Sequence, residues 1–159
     1  MSAHGITADL PAGFEGRIFK RRGSGPELPC AVAHFATFAL PVEVGDFGGG
    51  AVHLMTGSDV FASLFEYGPD SAGTRLFARA GMPRRLSTSD FLPYVLRRGL
   101  VGQSGTQWFF TEAGRPFTLY VVLGSHARRA SLVPRVNALL GRVVVGPSPA
   151  PVPGGAPWN

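Results

Sequence analysis

The sequence is poor in lysine, in cysteine and, through its second half, in carboxylates. Of fifteen cationic side chains in 159 residues, fourteen are arginine and only Lys20 is lysine. Isoleucine and asparagine occur twice each, while Gly, Ala, Pro and Val abound. That bias is expected of a GC-rich coding sequence. The formal charge of +5 therefore partly records codon usage and is weak evidence for nucleic-acid binding. Cys30 is the only cysteine, which excludes an intrachain disulfide and a cysteine-based zinc cluster. It sits in an alternating apolar segment and reads as a buried, inert thiol. No apolar run reaches the length of a membrane span, and the best, residues 117–123, is strand-sized. Residues 1–10 carry Asp9 and no apolar stretch, so they do not resemble a secretory signal. A cytoplasmic protein is the expectation.

What the chain does have is a packed domain's composition, 45% hydrophobic and 16% charged, at the length of one domain. The charge is split along it. Residues 1–70 hold four cations and eight anions, a net of −4. Residues 71–159 hold eleven arginines against only Asp90 and Glu112, a net of +9.

The pattern predicts a leader over residues 1–13, one α+β domain over 14–146, and a flexible Pro-rich tail over 147–159. The tail has five prolines and two glycines in thirteen residues and ends near Trp158. Strands are expected at 14–22, 31–39 and 60–67. In the second, Val32, His34, Ala36 and Phe38 share one face. Residues 60–67 also fit a helix, but Gly68, Pro69 and Asp70 end the segment at strand length. One helical turn is expected at 51–55, a brief edge pairing at Leu76 and Phe77, and a helix start at Ser87 or Ser89 running on to residue 98. Residues 107–112 and 117–123 read as a hairpin around a turn at 113–116. The near-continuous apolar run of its second strand implies a central position covered on both faces. Leu132, Val133, Val136, Leu139 and Leu140 then recur at helical spacing. Ser131 is the expected cap of that helix, Pro134 falls in its first turn and Gly141 suits its end. A short strand at 143–145 closes an antiparallel sheet with one main C-terminal helix packed on a face.

The run FFTEAGRPFTLYVVLGS followed by LVPRVNALLGRVVV is similar to the closing part of small PsbP/Mog1-like α+β modules. LPAGFEGRIFKRR resembles the opening of uncharacterised actinobacterial proteins of this size. The resemblance covers about the last quarter of the chain and the first strand. It implies the fold and an actinobacterial source. Members of that class mostly act in binding or assembly, and no site residue carries over.

The tests for chemistry are mostly negative. The glycine run at 45–50 lacks the spacing of a dinucleotide fingerprint and reads as a loop. Residues 102–105 fail the G-x-S-x-G spacing at Thr106, so Ser104 reads as a loop serine, with His126 distant in sequence. His4, His34, His53 and His126 show no metal-ligand spacing, and His34 reads as a core histidine. Glu15 and Glu66 could do acid–base work only if a cleft joined them. Glu112 and Arg115 flank the turn as an expected ion pair. No cofactor or metal is expected.

The remaining signal is three arginine pairs, Arg84–Arg85, Arg97–Arg98 and Arg128–Arg129. Guanidinium groups bind carboxylate and phosphate bidentately. Arg128 and Arg129 stand at the start of the last helix, where the helix dipole already disfavours cations and an anionic partner would relieve the conflict. A solvated arginine face enriched by codon bias is the bland alternative. The expectation is a non-catalytic protein-interaction or assembly module. It would bind an acidic protein surface or another copy of itself through these six arginines. An anionic-surface or nucleic-acid binder is the second reading; the aromatics that stack single strands are absent beside the pairs. A small enzyme or ligand-binding protein with a pocket between helix and sheet is the third.

Overall fold

A computed structural model describes residues 1–21, 30–43, 45, 47–48, 50–93 and 100–148. The fold is α+β: two antiparallel sheets and one main helix. The larger sheet has five strands in the order β3 (Glu15–Lys20), β4 (Ala31–Ala36), β5 (Val60–Glu66), β7 (Arg115–Leu123) and β6 (Ser104–Glu112). The smaller sheet joins β1 (Ser2–Ala3), β2 (Ile6–Ala8) and β8 (Val143–Val145). The helix α1 spans Arg129–Leu140.

The period-two alternation of the strands sends one set of side chains to each face of the larger sheet. Ala33, Phe35, Ala62, Leu64, Leu119 and Val121 form one face and meet Leu132, Val133, Val136, Leu139 and Leu140 of α1. Phe61, Val122 and Ala36 form part of the other, under Ala51 and Val52 of a single 3-10 turn at Ala51–His53. On that second face Phe47 stacks on Phe65 and meets Tyr120 edge-on, and Tyr67, Phe77 and Phe109 continue the aromatic cluster. β7 lies between β5 and β6, buried along nearly its whole length, as its apolar run requires.

Several boundaries differ from the sequence expectation for physical reasons. Residues 1–13 do not lead into the domain but belong to it. β2 pairs with β8 from the far end of the chain, and Ile6 is fully buried in the main core. A pairing across some 140 residues leaves no local signal. The hairpin turn is only Ala113 and Gly114, both at positive φ, the mirror-image turn that suits the strand twist. Arg115 and Pro116, expected in the turn, begin β7. Pro116 is tolerated because its missing N–H falls where β5 ends, and its carbonyl accepts from Tyr67 N. Arg75–Phe77 is a 3-10 turn rather than an edge strand. The edge pairing is made instead by Ala80 with Thr111. Ser87 and Asp90 form a capping box on the short turn Thr88–Asp90; its expected continuation through residues 94–98 lies outside the described residues. The helix begins two residues before its expected cap. Arg128 is the N-cap residue, with no side-chain cap, and the Ser131 hydroxyl donates back to Arg128 O. Gly141 ends the helix at an ordinary negative φ of −64°, with no left-handed residue. Gly124 is needed for a different reason: a Cβ there would lie 1.8 Å from Thr56 O.

The expected Glu112–Arg115 ion pair does not form, although the two residues are partners in register. Arg115, only 5% exposed, turns to Glu66, with Nε donating to Oε1 at 2.7 Å and Nη2 to Oε2 at 2.8 Å. Its remaining donors reach Gly146 O and His4 O, both at 3.1 Å. One guanidinium thus ties the larger sheet to the β1–β2 turn and to the end of β8. Glu112 accepts from Met82 N and lies 3.7 Å from Arg84.

Candidate functional site

The arginine pairs can be placed individually. Arg84 is spent on the fold: it donates to Val143 O and faces Glu112. Arg85 is exposed beside it. Arg97 and Arg98 lie outside the described residues. Arg128 and Arg129 sit at the N-terminal end of α1, and Arg84 and Arg85 near its other end, where Asn137 exchanges two hydrogen bonds with Leu86. A helix of twelve residues is about 18 Å long. The two described pairs therefore do not form one patch.

The structure joins Arg128 to a residue the sequence reading missed. Arg128 Nη1 donates to Ser58 Oγ at 3.0 Å, and Arg135 Nη1 donates to Ser58 O at 2.8 Å. Arg129 Nη1 donates to His126 O at 3.0 Å. The signal for Arg135 was its seven-residue spacing from Arg128, which is two helical turns and one face. Arg142 continues that spacing beyond the helix, 3.5 Å from Asp9.

These three guanidinium groups share a distinctive electrostatic setting. No carboxylate among the described residues lies within ion-pair distance of Arg128, Arg129 or Arg135, and α1 contains no acidic residue. The two acids of the second half are already engaged, Asp90 by Ser87 and Glu112 by Met82 and Arg84. Asp59, one residue from Ser58, turns inward to accept from Thr37 Oγ1, Thr56 N and Thr56 Oγ1. The positive end of the helix dipole thus carries Arg128 and Arg129, with Arg135 two turns on, and no counter-charge among the described residues.

The other candidate chemistry does not assemble. His126 N donates to Gly102 O, which brings His126 near residues 102–104. Yet Ser104 Oγ and His126 Nδ1 are both buried without a hydrogen-bond partner, so they do not bond each other and the serine has no base. His34 is buried between the rings of Phe19 and Phe61, at 5.1 and 5.6 Å. Among the described residues no group of three His, Cys, Asp or Glu side chains is placed to hold a metal ion. A cleft of about 270 Å³ is lined by Lys20, Cys30, Glu66, Tyr67 and Arg115, but Glu66 and Arg115 neutralise each other there. Glu15, far from Glu66 in register, accepts from Leu40 N. No helix among the described residues is long and apolar enough to cross a membrane.

Compared with known proteins, the chain matches no family model, no curated protein and no solved structure.

Proposed function

We propose that this chain is a non-catalytic interaction module that binds a carboxylate-rich protein surface through Arg128, Arg129 and Arg135. One observation carries the reading. Arg128 and Arg129 stand at the positive end of α1 and Arg135 meets Arg128 over Ser58, with no carboxylate among the described residues within ion-pair distance of the three. A cation in the first turn, as at Arg128 and Arg129, costs about 0.3–1 kcal/mol of folding stability, and a bound anion reverses the sign. Arginine also suits the task, since its planar fork takes a carboxylate bidentately. The resemblance to PsbP/Mog1-like modules, most of which act in binding or assembly, supports the same reading, and a cytoplasmic setting belongs to it.

The test is a titration of the full chain with a polyglutamate peptide, followed by amide chemical shifts. The amides of Ser58, residues 126–133 and Arg135 move, and binding weakens as salt rises. A variant carrying Arg128→Glu, Arg129→Glu and Arg135→Glu loses the response. Unmoved amides in the wild type, or equal binding by the variant, reject the reading. A DNA duplex that outcompetes the peptide at equal charge transfers the surface to nucleic acid.

A further inference from the structure

The turn before β5 presents one hydroxyl to the arginines of α1. Ser58 is exposed, between Gly57 and the buried Asp59. Its Oγ accepts from Arg128 Nη1 at 3.0 Å, and its carbonyl accepts from Arg135 Nη1 at 2.8 Å. Two guanidinium groups seven residues apart are thus drawn to one residue of a different segment. Ser58 Oγ accepts there, and its own proton has no acceptor among the described residues. Other exposed hydroxyls stand beside carboxylates: Thr56 Oγ1 donates to Asp59, and Ser87 Oγ donates to Asp90. A phosphoryl group on either would meet like charge. At Ser58 the neighbouring carboxylate is Asp59, held inward by Thr37 Oγ1, Thr56 N and Thr56 Oγ1. No carboxylate among the described residues pairs with Arg128, Arg129 or Arg135.

We propose that Ser58 is a phosphorylation site, and that its phosphate, clasped by Arg128 and Arg135, closes the acid-binding surface of α1. A serine protein kinase supplies the step, with a nucleoside triphosphate as donor. The Ser58 oxygen bonds to the γ-phosphorus as the bridging bond to the β-phosphate breaks. Nucleoside diphosphate leaves with the electron pair of that bond, and the hydroxyl proton passes to the base of the kinase. The product carries about −1.5 to −2 charge at neutral pH and three acceptor oxygens. Arg128 Nη1 already stands 3.0 Å from the oxygen that receives the phosphoryl group. Guanidinium groups take phosphate oxygens in pairs, by strong charge-assisted hydrogen bonds. An anion there also relieves the conflict of Arg128 and Arg129 with the helix dipole. Because it is tethered beside the arginines, the phosphate outcompetes carboxylates arriving from solution. That closure rests on the acid-binding reading above; the clasp itself does not.

The test compares the unmodified full chain with the full chain phosphorylated at Ser58, made by inserting phosphoserine during translation. Phosphorus NMR follows the second ionisation of the phosphate. In the folded chain it lies about half a pH unit or more below its value in the same chain unfolded in urea, because the guanidinium groups favour the dianion. Arg128→Gln/Arg135→Gln returns it to the unfolded value while the amide spectrum stays that of a folded chain. Polyglutamate binds the phosphorylated chain about tenfold more weakly than the unmodified one, or worse. A broad-specificity serine kinase with ATP places phosphate on Ser58 of the folded chain, read by mass spectrometry of the digested product. A phosphate that titrates as it does in urea, or one indifferent to the double variant, overturns the proposal. So does polyglutamate binding that phosphorylation leaves unchanged, or a folded chain that takes phosphate on other hydroxyls and none on Ser58. An unmodified chain that binds no polyglutamate, with the phosphate of the modified chain still clasped, rejects the acid-binding reading and upholds the clasp.

Discussion

Replacing Arg115 by alanine should be among the most damaging single changes in this chain. The side chain makes four hydrogen bonds: two to the Glu66 carboxylate and one each to Gly146 O and His4 O. Its guanidinium also lies 5.0 Å from the centre of the Phe117 ring. Truncation leaves Glu66 with Ala31 N, at 2.9 Å, as its remaining donor among the described residues. Removing one member of a buried ion pair costs roughly 3–5 kcal/mol, mostly because the other charge is stranded. The Glu66 side chain keeps 14% of its exposure, so water softens the penalty and the lower end, about 3 kcal/mol, is expected. In a chain of this length that lowers the melting temperature by about 6–12 °C. Urea denaturation gives the free energy, and hydrogen exchange shows where it acts. The amides of β2 and β8 should open first, because Arg115 holds His4 and Gly146 at the ends of that small sheet. The double variant Arg115→Met/Glu66→Leu should lose less than the single one, since no charge is stranded. A loss below about 1 kcal/mol for Arg115→Ala, the level of an exposed pair, would refute the reasoning.

Two further predictions concern the second face of the sheet. Thr118 Oγ1 is fully buried without a hydrogen-bond partner. Thr118→Val, which keeps the shape and removes the hydroxyl, should stabilise the fold by about 1 kcal/mol and raise the urea midpoint at constant slope; destabilisation would show that the hydroxyl is satisfied. Burial pushes the Tyr120 phenol above its ordinary value of 10. The folded chain therefore holds that proton more tightly than the unfolded chain. The resulting stability is complete below pH 10 and is lost as pH rises through the folded value. An ultraviolet titration in which all tyrosines ionise together at the ordinary value would contradict this.

Local rules settled most of the larger sheet before tertiary contacts were considered. Alternating apolar residues specified β4, the stop at Gly68–Asp70 marked β5 as strand-length, and the run at 117–123 needed two covered faces and so a central strand. The apolar stripe from Leu132 to Leu140 specified a helix with one buried side, and Val143–Val145 followed as a strand. Those patterns arise within a few residues, where the backbone periods of 2 and 3.6 govern. Nothing local reveals that Ile6 enters the core, because its partner Val145 lies at the other end of the chain. The same holds for Arg115. Its sequence neighbour across the turn is Glu112, yet the buried carboxylate that can satisfy its whole fork belongs to Glu66.

The site divides along the same line. The sequence by itself determined the charge split, the absence of acids on the last helix, and the unfavourable position of Arg128 and Arg129 at its start. Only the tertiary structure decided which arginines meet a carboxylate of the described residues. Arg84 and Arg142 found carboxylates at 3.7 and 3.5 Å, and Arg115 a buried one, while Arg135 joined Arg128 over Ser58. Charge is counted along the chain, but it is neutralised across a few ångströms of space, and the fold alone determines which groups come that close.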